Sequence, residues 1–496
     1  MVYHCLRRPG ARPFAGEATR VEWENHLIQD VCKYLKKIVG LVNPSEQVFV
    51  GVDGVVPMAK MRQQRLRRFK SHWTAAEEVR IGKSEAGKER WDTNAITPGT
   101  AFMERLGDAL RECKSEGVKW VVSAADEPGE GEHKAMRGLR ACSMRESHVI
   151  YGLDADLILL SLLQSIQEMW LFREAVECGE VQYTDNQEEY RYFSIHKLRD
   201  TLCGGSGSKG EGYILDYCMA MSLVGNDFLP HGLSLKLKDG GHDMLLRMLE
   251  DVRRVHGCII DTSGDGRAVW KKEALKDCIL WCARREEDLV RNHCAQKIGQ
   301  RNQHARGSTA LELAIDEWNK TPLRMCEEMA LVKSFGRGED GKTAAVLLDS
   351  WKQIYRERWL GASSTERICE EYYKGLDWIL QYYTGNSVDS EWCFPWFLPP
   401  LYSDLLAYIQ SRDLPLAKLD SGYELKPQEQ LALVLPLASW WLIRDARLRR
   451  LPKLAPQLWP SSFELFTAGH KQIWECEAQI PLFFPERLRM MLKDVK

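Results

Sequence analysis

A helix that follows a buried strand presents several phosphate-binding side chains on one face. The apolar run VFVGV ends at Asp53, and Pro57 then opens a segment of good helix formers. At ~3.6 residues per turn, positions i, i+4, i+7 and i+8 share an arc of roughly 100°. Those positions hold Lys60, Gln64, Arg67 and Arg68. Three cations and an amide suit a terminal phosphate, although the pattern is also typical of a solvated basic helix.

Carboxylates follow several apolar runs of the chain. The runs VFVGV, WVV, HVIY and DYCMAMSLV precede Asp53, Glu130, Glu132, Asp154, Asp156 and Asp227. Such runs are typical of buried parallel strands, whose carboxyl ends meet at one edge of a sheet. Carboxylates gathered there would repel one another unless a cation lay among them. Hard oxygen ligands indicate Mg²⁺ or Mn²⁺, although any single Asp is also a common helix cap or turn residue.

The elements that must position these residues have an α/β pattern. Residues 1 to about 190 alternate apolar runs with amphipathic stretches, which predicts a mostly parallel twisted sheet flanked by helices. Helices are expected over 21–42, 97–117, 238–257 and 271–297, and a polar surface loop over 203–212. We predict three segments: 1–190, a helical segment 191–364 that contains Asp227, and an aromatic-rich segment 365–496.

Several sequence blocks resemble the signature blocks of the XRN 5′→3′ exoribonucleases. The blocks are DGVVPMAKMRQQRLRRF, ITPGTAFM, PGEGEHK, YGLDADLILL and LVGNDFLPH. The resemblance resumes in EEYYKGLDWILQYYTGNSVDSEWCFPWFLPPLYSDL, EQLALVLPLAS and WPSSFELFTAGHKQIWECEAQIPLFFPERL, so it covers nearly the whole chain. It implies a PIN-like or flap-nuclease-like α/β fold with a second, largely helical conserved segment packed on it.

The resemblance also implies roles for individual residues. It assigns the carboxylates Asp53, Glu130, Glu132, Asp154, Asp156 and Asp227 to a Mg²⁺ cluster. It assigns Lys60, Gln64, Arg67 and Arg68 to the pocket for the 5′-monophosphate. His4 is implied to stack on the terminal bases, and Trp392 to close that stack. Trp396 competes with Trp392, because the spacing in NSVDSEWCFPW departs from the family pattern.

The activity implied is processive hydrolysis of 5′-monophosphorylated single-stranded RNA to mononucleotides, in RNA decay and processing. The metal ions would activate the attacking water, and the basic pocket would set the register of cutting. Base stacking tolerates any sequence and so permits processive movement. Two alternatives stay open: a catalytically impaired RNA-binding paralogue, and a flap-type DNA nuclease, against which the 5′-phosphate face argues.

One departure from the family pattern concerns the first residues. The family has a strand that ends in Asp-x-Asn-Gly, followed by two apolar residues, His and Cys, whereas this chain opens MVYHC. We expect either an N-terminally incomplete gene model, which we favour because the other catalytic positions match, or a degenerate paralogue. The chain as given is then expected to have little or no activity.

The cysteine pattern and the lack of a signal peptide predict an intracellular enzyme, and we expect a monomeric core that works in the nucleus, the cytoplasm or both. The 496 residues exceed one typical core, so several subdomains are expected. A net charge of −2 means that attraction to phosphate must be local. The 15 cysteines contain no C-x-x-C pair, so no zinc knuckle is predicted. No apolar run approaches the ~20 residues that span a membrane.

Overall fold

The structure is a computed structural model of the chain. It describes residues 1–496 except positions 86, 88, 144, 153, 178–179, 185–186, 205–209, 211, 263, 265, 340, 362, 420–424 and 496. Most of the predicted loop 203–212 therefore lies outside the described residues. Among the described residues, no helix has both the length and the apolar character that crossing a membrane requires.

Helices dominate the chain. They are, in chain order, α1 Val2–Arg7, α2 Arg20–Val42, α3 Met58–Arg80, α4 Ala101–Glu112, α5 Gly131–Arg140, α6 Asp156–Leu162, α7 Ile195–Leu202, α8 Tyr213–Ala220, α9 Gly241–His256, α10 Lys272–Arg301, α11 Ala310–Asn319, α12 Thr321–Met325, α13 Trp351–Tyr355, α14 Thr365–Thr384, α15 Tyr402–Ser411, α16 Pro427–Val434, α17 Leu451–Leu454 and α18 Pro485–Asp494.

The strands are short. They are β1 Gln47–Gly51, β2 Lys119–Ser123, β3 Ser147–Tyr151, β4 Glu168–Glu174, β5 Val176–Glu177, β6 Glu180–Val181, β7 Tyr183–Thr184, β8 Gln187–Glu188, β9 Tyr190–Ser194, β10 Ile260–Asp261, β11 Val269–Trp270, β12 Val332–Arg337, β13 Thr343–Leu347, β14 Leu465–Phe466 and β15 Glu477–Ala478.

The chain forms two compact units, and each is discontinuous in sequence. Unit 1 comprises Met1–Val56, Glu89–Cys218 and Tyr382–Asn386. Unit 2 comprises Pro57–Lys88, Met219–Gln381 and Ser387–Lys496. The predicted segments 1–190, 191–364 and 365–496 are therefore stretches of sequence and do not coincide with the compact units.

Unit 1 contains the parallel strands. β1 pairs with β2 in parallel, with Gln47 opposite Lys119. β3 pairs with β4 in parallel, and β9 joins β4 in the antiparallel direction. Helices α2 and α4 pack together, and each contributes buried aliphatic side chains, for example Leu27 and Leu106. The predicted α/β class is confirmed, with the parallel strands divided between two small sheets.

Unit 2 is built around the long helix α10, which contacts α9, α12, α15 and the β12–β13 hairpin. The buried carboxylate of Glu286 on α10 accepts hydrogen bonds from the amide and hydroxyl of Ser403, in the first turn of α15. Helix α3 begins directly after Pro57, as predicted, and packs on α16 and β15. The contacts of α10 with α15 and of α3 with α16 and β15 join segments that are far apart in sequence.

The helices predicted over 21–42, 97–117, 238–257 and 271–297 are confirmed as α2, α4, α9 and α10. The run DYCMAMSLV before Asp227 was expected to be a strand, and that prediction is wrong. It forms the end of α8 and a 3-10 turn over Met221–Val224. The run is rich in Ala, Met and Leu, which favour helix, and a short apolar run does not reveal its period.

Candidate active site: paired carboxylates and a cationic helix

In unit 1, two glutamates lie at the start of helix α5. Glu130 is the N-cap residue and Glu132 lies in the first turn, where the helix dipole favours negative charge. Ligand atoms of Glu130, Glu132 and His133 all lie within 4.8 Å of one another. Glu130 is 2% exposed, so its side chain is shielded from solvent. The ligand atoms of the three residues lie close enough together to bind one divalent cation.

Asp53 joins this group through the backbone. Its Oδ1 accepts a hydrogen bond of 2.7 Å from the amide of Gly131, between the two glutamates. The approach of strand β1 to α5 depends on glycine, because a Cβ at Gly51 would lie 2.5 Å from the carbonyl oxygen of Gly131. The sequence prediction that Asp53, Glu130 and Glu132 lie at adjacent strand ends agrees with this geometry.

Lys134 fixes the same helix to the ends of two strands. Its ammonium donates hydrogen bonds of 2.8 Å to the carbonyl oxygens of Val52 and Ala124, just beyond β1 and β2. Burial lowers the pKa of this lysine. Its two hydrogen bonds to backbone carbonyl groups hold α5 in place. The sequence block PGEGEHK contains Lys134 but does not indicate this role.

Tyr382 completes the surroundings of Glu130. Its hydroxyl donates a 2.8 Å hydrogen bond to Glu130 Oε1, and its ring stacks on His133 with centroids 3.8 Å apart. Burial and the charge of Glu130 raise the pKa of this tyrosine well above its ordinary value. The two partners are 252 positions apart, so no sequence pattern indicates the pair.

The second acidic pair of unit 1 lies elsewhere on the same chain segment. Asp156 is the first residue of α6, and its amide donates a 3.3 Å hydrogen bond to Asp154 Oδ1. Asp154 is exposed. Within the part of the chain that the structure describes, neither aspartate shares the close ligand cluster of Glu130 and Glu132. Their metal-binding role therefore stays a prediction.

In unit 2, Asp227 pairs with the predicted phosphate helix. Its Oδ2 lies 2.7 Å from the ammonium of Lys60, and its Oδ1 accepts a longer bond of 3.4 Å from Gln63. The preceding Asn226 accepts from the amides of Phe228 and Leu229, which fixes the turn. The structure thus joins a predicted metal ligand to a predicted phosphate ligand.

The other phosphate candidates on α3 differ in exposure. Arg68 donates a 3.0 Å hydrogen bond to Gln64 Oε1, and both residues are buried. Arg67 is exposed. Glu477 on β15, which the sequence pattern does not indicate, lies near Arg62, Arg67 and Lys70 of the same helix, and burial raises its pKa. Among the four phosphate candidates, Arg67 therefore faces solvent, whereas Gln64 and Arg68 are buried beside it.

Arg65 anchors the same helix through backbone carbonyl groups. It is 1% exposed, and its guanidinium donates to the carbonyl oxygens of Leu433 at 2.7 Å, Pro481 at 3.1 Å and Leu458. Burial, without a carboxylate partner, lowers the pKa of Arg65 to about 9. The guanidinium of Arg65 is still charged at neutral pH, and the dipoles of the three carbonyl groups stabilise this buried charge. The role of Arg65 could not be predicted, because the pattern QQRLRR does not distinguish a buried arginine from an exposed one.

The aromatic candidates are engaged within their own units. In unit 1, the side chain of His4 is 7% exposed, stacks on Tyr34 at 4.3 Å and lies 2.8 Å from Glu188 Oε1. In unit 2, Trp392 donates to Glu371 and lies 5.4 Å from Trp378, and the Trp396 carbonyl accepts from Arg62. The base-stacking roles of His4 and Trp392 stay predictions, and this placement of His4 leaves little of its ring free.

The fold and the glutamate cluster define an α/β protein with a candidate divalent-metal site. The model of the "XRN 5'-3' exonuclease N-terminus" matches residues 1–175, and that of the "Xrn1 helical domain" matches residues 284–496. The chain belongs to the XRN 5′-3′ exonuclease family.

Curated relatives align with nearly the whole chain. Human 5'-3' exoribonuclease 1 is 26% identical, over 94% of this chain and 30% of the relative. The 5'-3' exoribonuclease 2 of Debaryomyces hansenii is 24% identical, over 94% of this chain and 62% of the relative. That of Gallus gallus is 25% identical, over 95% and 62%. The chain thus spans less than two thirds of these relatives.

Proposed function

We propose that this chain acts as a metal-dependent 5′→3′ exoribonuclease that degrades 5′-monophosphorylated RNA processively to mononucleotides, in RNA decay and processing. The observation that carries the proposal is the close pair of Glu130 and Glu132 at the start of α5, in a chain of the XRN family. The curated relatives are named 5'-3' exoribonucleases, which supports both the direction of cutting and RNA as the substrate.

The donor set fits a hard divalent cation such as Mg²⁺ or Mn²⁺. Glu130 and Glu132 offer carboxylate oxygens within 4.8 Å of each other, and such oxygens are the ligands that these ions prefer. We propose that Asp53, Asp154, Asp156 and Asp227 belong to the same ligand set, as the resemblance implies. The bound ion would activate a water molecule and neutralise charge on the scissile phosphate.

The protein's own residues then bind and orient the RNA. Arg67, with Lys60, Gln64 and Arg68, would hold the 5′-phosphate by charge-assisted hydrogen bonds and so fix which phosphodiester is attacked. Lys60 now pairs with Asp227, so binding a phosphate requires that this ammonium exchange or share its partner. His4 and Trp392 are the proposed stacking residues for the terminal bases.

Product analysis tests the proposal. The purified chain, extended at its N-terminus with the family's strand that ends in Asp-x-Asn-Gly, is incubated with 3′-labelled single-stranded RNA that carries a 5′-monophosphate, with Mg²⁺ or with a chelator. We expect Mg²⁺-dependent release of mononucleotides and the same binding but no release for Glu132→Gln. Internal cuts in a flap DNA substrate would contradict the proposal. So would a Glu132→Gln variant whose Mg²⁺-dependent rate of mononucleotide release is within about tenfold of the parent's rate.

The phosphate-binding role has a matched control on the same helix. Arg67→Ala should lower the preference for 5′-monophosphate over 5′-hydroxyl RNA by about 5- to 150-fold, since a hydrogen bond to a charged group contributes about 1–3 kcal/mol. Arg80→Ala removes an exposed arginine of α3 that pairs with Glu77 and should leave the preference unchanged. If rates on both RNAs fall equally in Arg67→Ala, the helix is a general RNA-binding surface.

A further inference from the structure

A thiol, a carboxylate and an imidazole converge in unit 1 where α5 leads into β3. Cys142, Glu146 and His148 each offer one ligand atom, and these atoms all lie within 4.8 Å of one another. None of the three belongs to the glutamate cluster at the other end of α5. A helix of 10 residues is about 15 Å long, so the two groups are well separated.

The ring nitrogen Nε2 of His148 is the feature that points to a ligand. It is buried and has no hydrogen-bond partner among the residues that the structure describes. The nearest carboxylate oxygen, Glu146 Oε2, lies 3.9 Å away, which is too far for a hydrogen bond. Buried polar atoms are nearly always satisfied in folded proteins, so an orphaned ring nitrogen indicates a missing partner.

The backbone holds the three donors in place. His148 lies within β3, in register with Met169 of β4. The amide of Cys142 bonds to the carbonyl of Leu139, and the amide of Glu146 bonds to that of Ser143. The Cys142 thiol makes only a weak 3.5 Å contact with a carbonyl oxygen, which it can give up on deprotonation. The donors are thus preorganised on a turn and a strand.

We propose that Cys142, Glu146 and His148 bind a borderline divalent cation of the Zn²⁺ class. Sulfur, nitrogen and oxygen together suit Zn²⁺ or Co²⁺, whereas Mg²⁺ disfavours thiolate. Tetrahedral zinc places its ligand atoms about 3.3–3.7 Å apart. The 3.9 Å separation of His148 and Glu146 therefore requires only a small closing movement. Solvent supplies the remaining position, and the ion links the end of α5 to β3.

Cobalt spectroscopy tests this site directly. The full chain is treated with chelator, exchanged into a phosphine reductant and titrated with Co²⁺. We expect a thiolate-to-cobalt charge-transfer band that saturates at one equivalent, disappears on addition of Zn²⁺ and is unaffected by excess Mg²⁺. Cys142→Ser should abolish the band, whereas Cys203→Ser, which alters another half-buried thiol of unit 1, should retain it.

Thermal unfolding supplies a second measurement. An ion that binds only the folded state stabilises it, so excess Zn²⁺ should raise the Tm of the parent by about 2–4 °C. Glu146→Gln keeps the shape of an exposed side chain and should lose most of this shift with its fold intact. A charge-transfer band that persists in Cys142→Ser, or an equal Zn²⁺ shift in parent and Glu146→Gln, would overturn the proposal.

Discussion

The buried carboxylate of Glu130 has a hydrogen-bond donor that is distant in sequence. It lies at the start of α5, and the hydroxyl of Tyr382 donates to it at 2.8 Å. When a buried carboxylate loses a hydrogen-bond donor, part of its desolvation cost is no longer compensated. The carboxylate can also rotate more freely. The hydrogen bond therefore helps to fix the orientation of one proposed metal ligand.

Tyr382→Phe should raise the Mg²⁺ concentration needed for half-maximal activity by about 10- to 100-fold, the usual effect of removing a donor to a metal ligand. The ring that stacks on His133 is kept, so packing is preserved. The measurement is a Mg²⁺ titration of nuclease rate. Tyr383→Phe, at the next position, is the control, and equal titrations for parent and Tyr382→Phe would remove Tyr382 from the site.

At this scale the sequence predicts residue types better than contacts. Asp53, Glu130 and Glu132 could be predicted because each follows an apolar run that ends in a turn. Their shared position depends on Lys134 and Tyr382, and the second of these is distant in sequence. His148 could not be predicted as a ligand, because its importance lies in a buried nitrogen without a partner.

Helix α3 shows how a single element carries two different sets of arginines. Arg67 faces solvent, while Arg65 is enclosed by carbonyl oxygens at the ends of α16 and of the turn Pro456–Leu458. Carbonyls at helix ends carry partial negative charge, so they suit a guanidinium. Arg65 therefore fixes the rotation of α3 and, with it, the direction in which the proposed phosphate ligands point.

Arg65→Met should lower the free energy of unfolding by about 3–5 kcal/mol, since it leaves several buried carbonyls unsatisfied. Arg80→Met, at the exposed end of the same helix, should change stability by less than about 0.5 kcal/mol. Urea unfolding of the three proteins compares them. A loss below about 1 kcal/mol for Arg65→Met would show that the guanidinium does not anchor the helix.

Element boundaries followed from the sequence where the periodicity was long. Helices α2 and α10 have sustained amphipathic patterns and were predicted, as was the start of α3 after Pro57. The strand prediction for the run before Asp227 was wrong, because eight or nine apolar residues fit a strand and a buried helix equally well. The division of the parallel strands into β1–β2 and β3–β4–β9 depends on pairing, which no local pattern contains.

At the scale of the whole molecule, unit 2 encloses a network of charges. Glu328 accepts hydrogen bonds from the ammonium of Lys297 and from the amide of Gly469. The ammonium of Lys236 donates to the carbonyl of the same glycine and lies 3.5 Å from His293. The network joins α10 to the segment around residue 469. Because it is buried, its stability depends on every member keeping its charge state.

His231 makes this network sensitive to acid. Its ring lies 5.3 Å from that of His470, and its neighbours include Lys236, His293 and Glu475. Burial, reinforced by the positive charge of Lys236, lowers the pKa of His231 to about 4. The same causes and His231 itself hold the pKa of His470 well below its ordinary value. Both rings are therefore neutral in the folded protein at neutral pH.

The unfolded chain, in which histidine titrates near 6.5, binds protons first as pH falls. Unit 2 should therefore lose stability between pH 6.5 and about 4, and His231 alone should account for about 2 kcal/mol between pH 7 and pH 5. Hydrogen exchange of α10 amides, which follows unit 2 specifically, measures the loss. In His231→Gln, the stability that unit 2 loses between pH 7 and pH 5 should be smaller by about 2 kcal/mol. This difference does not depend on the stability of the variant at pH 7. The control His26→Gln, which alters an exposed histidine of α2, should leave the change of stability with pH unchanged. If stability changes with pH equally in His231→Gln and in the parent, His231 is not the titrating group.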